Sequence, residues 1–188
     1  AEMSGNHNNS LKRALKIVDI AAESGADAIK LQTLNPGKIT LNSNRKEFKI
    51  MDKHSPWYGF KLYDLYKKSQ TPYAWHKKIQ ERANEKGLIF FSSPFDEESV
   101  DFLEELNVPL YKVASFENTH LPLIKKIAQT KKPMIISTGM ATIREIKNAI
   151  KTATENGCKN IILLKCTSSY PTSINESNIN GITKLKKE

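Results

Sequence analysis

The residues able to do chemistry in this sequence stand at the ends of short β-rich runs. Lys30 and Gln32 close one run and Ser92 and Ser93 the next; Lys112, Ser115 and Glu117 follow a third. Ser137 and Thr138 close a fourth, and Lys165, Thr167, Ser168 and Tyr170 follow the last. Taken singly, such a serine or threonine is a solvent-exposed strand end or the cap of the next helix. Taken together, three lysines and several hydroxyls gathered at one mouth suit a small, densely anionic ligand. Lysine brings point charge to phosphate or carboxylate, and hydroxyls with neighbouring backbone amides bring directional donors. The four histidines (His7, His54, His76, His120) lack ligand spacing, and no H-E-x-x-H or C-x-x-C occurs. His76 lies on an amphipathic helix and is expected at the surface. Cys166 has no evident His-Asp partner, so a packed, inert thiol is expected there rather than a nucleophile.

The elements that must position these groups alternate. Ser10 can cap a helix carrying Leu11, Leu15, Val18 and Ala22 on one stripe and ending near Gly25. A strand follows at residues 28–32, and Thr71-Pro72 opens a helix that runs to Gly87. Residues 88–92 are a strand, and Asp96-Glu97-Glu98 leads acidic residues into the next helix, as the helix dipole favours. Strands at 110–113, 133–137 and 160–164 alternate with helices at 121–130 and from Thr142 to Gly157, the latter opened by a capping box with Glu145. Beyond Pro171 the sequence predicts loop with one short helix.

The strand-closing residues Lys30, Ser93, Lys112, Ser137 and Lys165 are 63, 19, 25 and 28 residues apart, and after the first gap that is the spacing of successive βα units. Apolar strands buried on both faces imply a parallel sheet, either doubly wound or closed as a (β/α)8 barrel. No G-x-G-x-x-G or P-loop follows any strand, which favours the α/β TIM-type barrel. With a first strand clipped at Ala1-Glu2-Met3, the count reaches about six, so residues 1–188 are expected to form a single incomplete barrel domain. Active sites of such barrels lie where strands end, which places His7, just past the first strand, on the catalytic face. Its contact with substrate is left open. The long connection 33–70 holds Trp57, Tyr58, Phe60, Tyr63 and Tyr66; packing by its own aromatics is expected over stacking on bases.

Composition excludes several classes. The chain of 188 residues has 29 Lys+Arg against 20 Asp+Glu, and 39% hydrophobic residues. No apolar run approaches the ~20 residues of a membrane span. Two cysteines, Cys158 and Cys166, cannot make a disulfide framework, and no signal-like segment opens the sequence, so a reducing cytoplasm is expected. The sequence begins at Ala1 rather than methionine, which points to an incomplete N-terminus. The net charge of +9 suggests a nucleic-acid partner. The lysines, however, come as scattered pairs (Lys67-Lys68, Lys77-Lys78, Lys125-Lys126, Lys131-Lys132, Lys186-Lys187), for which solvated helix faces suffice.

Six ordered motifs carry a resemblance. Residues 2–8 (EMSGNHN), 30–33 (KLQT), 91–96 (FSSPFD), 111–117 (YKVASFE), 136–140 (ISTGM) and 164–171 (LKCTSSYP) match the order and spacing of the sialic acid synthase family. Within that family Ser93, Phe116 and Lys165, where the N-acetylneuraminate enzymes have Thr, Gly and His, are most similar to pseudaminic acid synthases. So is the segment around Trp57, Leu62 to Tyr66, Thr71-Pro72 and Trp75-His76.

The resemblance implies a metal-assisted condensation of phosphoenolpyruvate with an amino-sugar aldehyde, giving a nine-carbon 2-keto acid and phosphate. On the family pattern Lys30, Ser93, Lys112, Ser115 and Ser137 would hold the carboxylate and phosphate. Glu2, Gln32, Glu117 and Tyr170 would face the sugar and the attacking water, with Asn6 and His7 nearby; Glu2, Glu117 and Lys112 are the implied catalytic groups. The sugar implied is of the 2,4-diacetamido-2,4,6-trideoxy-altrose type, with N-acetylneuraminate or legionaminate chemistry as the alternative. The family's two metal-binding histidines, for Mn2+ or Mg2+, come from barrel strands beyond residue 188. Its antifreeze-like C-terminal domain, which completes a homodimeric site, is likewise not represented in these residues. Little synthase activity is therefore expected of this chain alone. A non-catalytic anion-binding module is the reading of another class. An RNA-binding protein is a third, and would need salt-sensitive binding at the lysine pairs; neither nucleic acid nor membrane is the expected partner.

Overall fold

The computed structural model describes residues 1–169 and 172–187. They form two compact units, Ala1–Val108 and Pro109–Glu188.

In the first unit, helix α1 (Leu11–Glu23) starts where the Ser10 hydroxyl accepts the Arg13 amide at 3.3 Å. It ends where Gly25, at φ 79°, turns the chain so that Ala26 N–H reaches Ala21 C=O at 3.0 Å. Its buried residues are Ala14, Val18 and Ala21. The buried stripe is thus rotated from the expected one, and Leu11, Leu15 and Ala22 sit at its margin. Small residues at the centre allow α1 to lie against α4 (Tyr73–Glu85), whose own buried face is His76, Ile79 and Ala83. Strands β1 (Ala28–Thr33) and β2 (Ile89–Pro94) pair in parallel, with Lys30 opposite Phe91 and Gln32 opposite Ser93. In place of the expected clipped strand at Ala1-Glu2-Met3 there is a single parallel bridge from Glu2 to Lys30, so the described strands number five rather than six.

The connection after β1 is not a loop held by its aromatics. It contains helices α2 (Pro36–Ile39) and α3 (Leu62–Ser69), a 3-10 turn at Lys46–Phe48 and an antiparallel bridge between Lys49 and Lys61. Trp57, Tyr58 and Phe60 are exposed. Only Tyr63 and Tyr66, carried on α3, are half-buried. After β2, helix α5 (Glu97–Glu105) is capped by Asp96, which accepts both the amide and the hydroxyl of Ser99 at 2.8 Å.

In the second unit β3 (Tyr111–Val113), β4 (Met134–Ser137) and β5 (Ile161–Leu164) form a parallel row. Helices α6 (Leu121–Gln129) and α7 (Ile143–Glu155) pack against each other, burying Leu123, Ile124, Ile127, Ala149 and Ala153. The Thr142–Glu145 capping box is fully formed. A short helix α8 (Gly181–Leu185) and a 3-10 turn at Ile174–Glu176 complete the described residues.

Burial on both faces, expected of every strand, holds throughout β3 but fails at the start of β2, where Ile89 is exposed, and along β1 and β5. Strand β1 alternates, because Lys30 and Gln32 occupy a half-exposed face. Strand β5 ends its row and leaves Ile162 and Leu164 exposed. Among the described residues no helix is long and apolar enough to cross a membrane.

Candidate active site

The polar strand ends are positioned by the strict alternation of side chains along a strand. In the first unit Lys30 and Gln32 share one face of β1, and the register sets Gln32 beside Ser93 of β2. Lys30 makes a direct ion pair with Glu2, whose other oxygen accepts the Ser4 amide and hydroxyl at 3.1 and 3.0 Å. An incoming anion at Lys30 therefore competes with a carboxylate already in place. Ser93 is 1% exposed, and its hydroxyl has no hydrogen-bond partner. A buried hydroxyl left unpaired is costly, and a ligand oxygen would satisfy it.

Asn6 is turned onto its own loop, donating to Met3 C=O at 3.0 Å. His7 is fully buried, edge-on to Trp75 with ring centroids 5.6 Å apart, and burial lowers its pKa. Its Nδ1 accepts the Asn9 amide and its Nε2 lies 3.2 Å from the Thr71 hydroxyl. Both ring nitrogens are thus taken within the protein.

Sequence reasoning misplaced His76. It is not on the surface but has 0% exposure, facing Thr33 and Phe102. The signal was available in the spacing: His76, Ile79 and Ala83 fall on one helical face, and that face is the buried one. Its Nδ1 is 3.1 Å from Pro72 C=O, which can only accept, so Nδ1 carries the proton. Nε2 then accepts the Thr33 hydroxyl at 2.9 Å, and Thr33 in turn accepts the Ser92 hydroxyl at 2.7 Å. Desolvation pushes the His76 pKa down to about 4, so the ring is neutral near pH 7.

In the second unit Lys112 is 7% exposed. Its ammonium donates to Val113 C=O at 2.7 Å and to the Ser137 hydroxyl at 2.5 Å. The Cys166 thiol donates to the same hydroxyl at 3.3 Å. Cys166 is half-buried beside the strand-end cluster. Ser115 and Glu117 lie on a 3-10 turn after β3. One Glu117 carboxyl oxygen is buried without a partner, and burial raises the pKa of this group; a hydrogen bond from its own backbone and the nearby Lys112 charge oppose the rise.

The Asn118 amide donates to Ser137 C=O at 3.3 Å and Gly139 C=O at 3.4 Å, tying this turn to the end of β4. A Cβ at Gly139 would lie 2.8 Å from Ser115 Oγ, so glycine is what allows the two segments to approach. Thr138 bonds Leu164 C=O through both its amide, at 2.9 Å, and its hydroxyl, at 3.0 Å. The Lys165 ammonium donates to Thr167 Oγ1 at 2.9 Å and to Ser177 C=O. A cavity of about 260 Å³ is lined by Thr138, Met140, Lys165, Cys166, Asn178 and Lys184 among others. Tyr170 lies outside the described residues.

The second unit thus sets Lys112 and Lys165 beside hydroxyls, and the first holds Lys30 on Glu2 with an unpaired Ser93 hydroxyl on the neighbouring strand, donors suited to an anionic ligand. A divalent metal fits less well, since among the described residues no group of three His, Cys, Asp or Glu could hold one.

A family model for NeuB matches residues 17–188, nearly the whole chain. The chain belongs to the NeuB family. It is 45% identical over 188 residues to a pseudaminic acid synthase of Campylobacter jejuni, covering 100% of this chain and 54% of that protein. To an N,N'-diacetyllegionaminic acid synthase of the same species it is 39% identical over 188 residues, covering 99% of this chain and 56% of the relative. Among solved structures, a sialic acid synthetase from Leptospira borgpetersenii in complex with citrate superimposes with a TM-score of 0.86 at 29% identity, over 100% of this chain and 60% of that one. The α/β fold with five parallel strands matches NeuB-type TIM barrels over little more than half their length, and the barrel class is the one expected from the spacing of strand ends. The chain spans about half the length of the curated relatives it matches.

Proposed function

We propose that this chain is the phosphoenolpyruvate-binding part of a nonulosonate synthase, a transferase, of the pseudaminic acid type. The observation that carries the reading is the buried Lys112 ammonium bonded to Ser137 at neighbouring strand ends. A desolvated cation with a hydroxyl beside it favours a small dianion over a neutral ligand, and the low local dielectric strengthens the attraction. The unpaired Ser93 hydroxyl asks for the same kind of partner.

In the proposed reaction C3 of the enol attacks the open-chain sugar aldehyde and water adds at C2. The tetrahedral intermediate expels phosphate by cleavage of its C–O bond. Lys30, Ser93, Lys112, Ser115 and Ser137 hold the phosphate and carboxylate. Glu2, Gln32, Glu117 and Tyr170 face the sugar and the water, with Asn6 and His7 shaping the loop beside them. Glu117, whose raised pKa suits a group that takes and returns a proton, is the acid-base candidate. The described residues do not make a metal site; the ligands of a divalent ion are proposed to lie beyond residue 188 in the longer protein, which we read as a homodimer.

The 39% identity to a diacetyllegionaminic acid synthase supports a second reading, with the same chemistry on a different sugar. Calorimetric titration of the 188-residue chain with phosphoenolpyruvate tests the common part. Saturable binding weakened about tenfold or more by Lys112→Met is expected, the scale of losing one charge-assisted contact. Binding no tighter than that of inorganic phosphate, or unchanged by the substitution, would remove the reading. Phosphate release by the complete protein with each candidate amino sugar separates the two sugars.

A further inference from the structure

Three fully buried polar groups that the proposed chemistry does not use, His76, Thr33 and Ser92, form one hydrogen-bonded chain. Their arrangement is directional. Ser92 donates to Thr33, Thr33 to His76 Nε2, and His76 Nδ1–H to Pro72 C=O, the residue just before α4. Every proton in the chain has one acceptor, and the carbonyl at its end fixes the direction. Such a fully satisfied buried network specifies one geometry, since any slip leaves a donor or acceptor unpaired.

The strands give this network its reach. Thr33 and Ser92 lie on the helix-facing sides of β1 and β2, and along each strand the adjacent residue points to the opposite face. The adjacent residues are Gln32 and Ser93, which the register places side by side. The helix-side clamp therefore sits directly behind the two residues that face the ligand. It also joins atoms 43 and 59 residues apart in sequence, at the point where both strands end and loops begin. Phe95 N–H to Thr33 C=O, at 3.2 Å, closes the same end through the backbone. A strand end without such a tie frays, and a shift of about 1 Å in a contact residue is enough to weaken binding or turnover severely.

We propose that His76 is a positioning residue: through the Thr33 and Ser92 hydroxyls it fixes the ends of β1 and β2 so that Gln32 and Ser93 meet the substrate side by side. The assignment rests on the reading above in which Gln32 and Ser93 face the ligand. His76 touches no substrate in this account and acts only through the two hydroxyls.

The test uses the 188-residue chain with His76→Phe, which keeps a flat ring but no acceptor, and His76→Gln, whose side-chain oxygen can replace Nε2. Thr33→Val, which removes the bridging hydroxyl at nearly constant shape, serves where His76→Phe fails to fold. Three measurements are made: histidine 15N spectra, the amide resonances of Gln32 and Ser93, and calorimetric affinity for phosphoenolpyruvate. The parent should show His76 protonated at Nδ1. His76→Phe and Thr33→Val should shift or broaden the Gln32 and Ser93 resonances and weaken binding about tenfold, equivalent to ~1.4 kcal/mol. His76→Gln should restore both to near parental values. An Nε2-protonated parent, or a folded His76→Phe or Thr33→Val variant with parental resonances and affinity, overturns the proposal. If the parent itself does not bind phosphoenolpyruvate, the functional reading fails, while the Gln32 and Ser93 resonances still decide the positioning role.

Discussion

Neutral His76 costs the fold nothing at pH 7 and a good deal in acid. Its folded pKa of about 4 lies below the 6.5 of an exposed histidine, so the unfolded chain binds the proton more readily. The contribution is complete above pH 6.5 and is lost as pH falls toward 4. By linkage the loss amounts to roughly 3 kcal/mol. Part of the depression comes from His7, itself buried and with a lowered pKa, so both rings resist charging together. Urea midpoints measured between pH 7 and pH 4 should fall in the parent and fall clearly less in His76→Gln. Equal slopes in the two proteins would mean that this ring is not the group responsible. Glu117 has the opposite sign: burial favours its protonated form, so its contribution is lost as pH rises through its raised pKa.

Helices here are begun by their caps. Ser10, Asp96 and Thr142 each place a side-chain oxygen on the amide three residues on, and each helix starts at the next residue. In α7 the exchange is reciprocal, with Glu145 accepting the Thr142 amide at 2.7 Å and hydroxyl at 2.8 Å. Because α7 packs on α6, losing this cap should loosen the second unit as a whole. Thr142→Ala is expected to destabilise by about 1 kcal/mol, read as a lower urea midpoint. Thr142→Ser, which keeps the oxygen, should stay near the parent. Strand β5 is the element whose sequence and surroundings disagree. Its run of Ile and Leu reads as a buried strand, yet Ile162 and Leu164 are 54% and 40% exposed. Such a face is an association liability in the isolated chain.

At the scale of the molecule, the contacts proposed for phosphate and carboxylate come from both units: Lys30 and Ser93 from the first, and Lys112, Ser115 and Ser137 from the second. On the proposed function, binding of phosphoenolpyruvate is expected to persist in these 188 residues. Condensation is not: no three-donor metal set occurs among the described residues, and the chain covers only 54% of a pseudaminic acid synthase. Phosphate release on adding an amino sugar and Mn2+ should stay at background while calorimetric binding is retained; normal turnover would contradict this. The excess positive charge needs no polyanionic partner. The lysine pairs occupy exposed or half-exposed positions, as at Lys67-Lys68 and Lys77-Lys78.

The amino-acid sequence alone determined the order of βα units, the caps and the strand-closing residues. These depend on neighbours within a few positions: the period of apolar residues, a serine or threonine before a helix, a lysine after an apolar run. It also carried the six motifs that mark the family. What only the tertiary structure decided are the partners across long separations: Glu2 with Lys30, Lys112 with Ser137, and the chain from Ser92 through Thr33 to His76. The helical spacing of His76, Ile79 and Ala83 could have placed His76 on the buried face, but not named Thr33 as its partner. The physical reason is that periodicity reports which way a side chain points relative to its own element. Whether it then meets an ion, a hydroxyl or nothing, as at Ser93, depends on how separate elements are brought together.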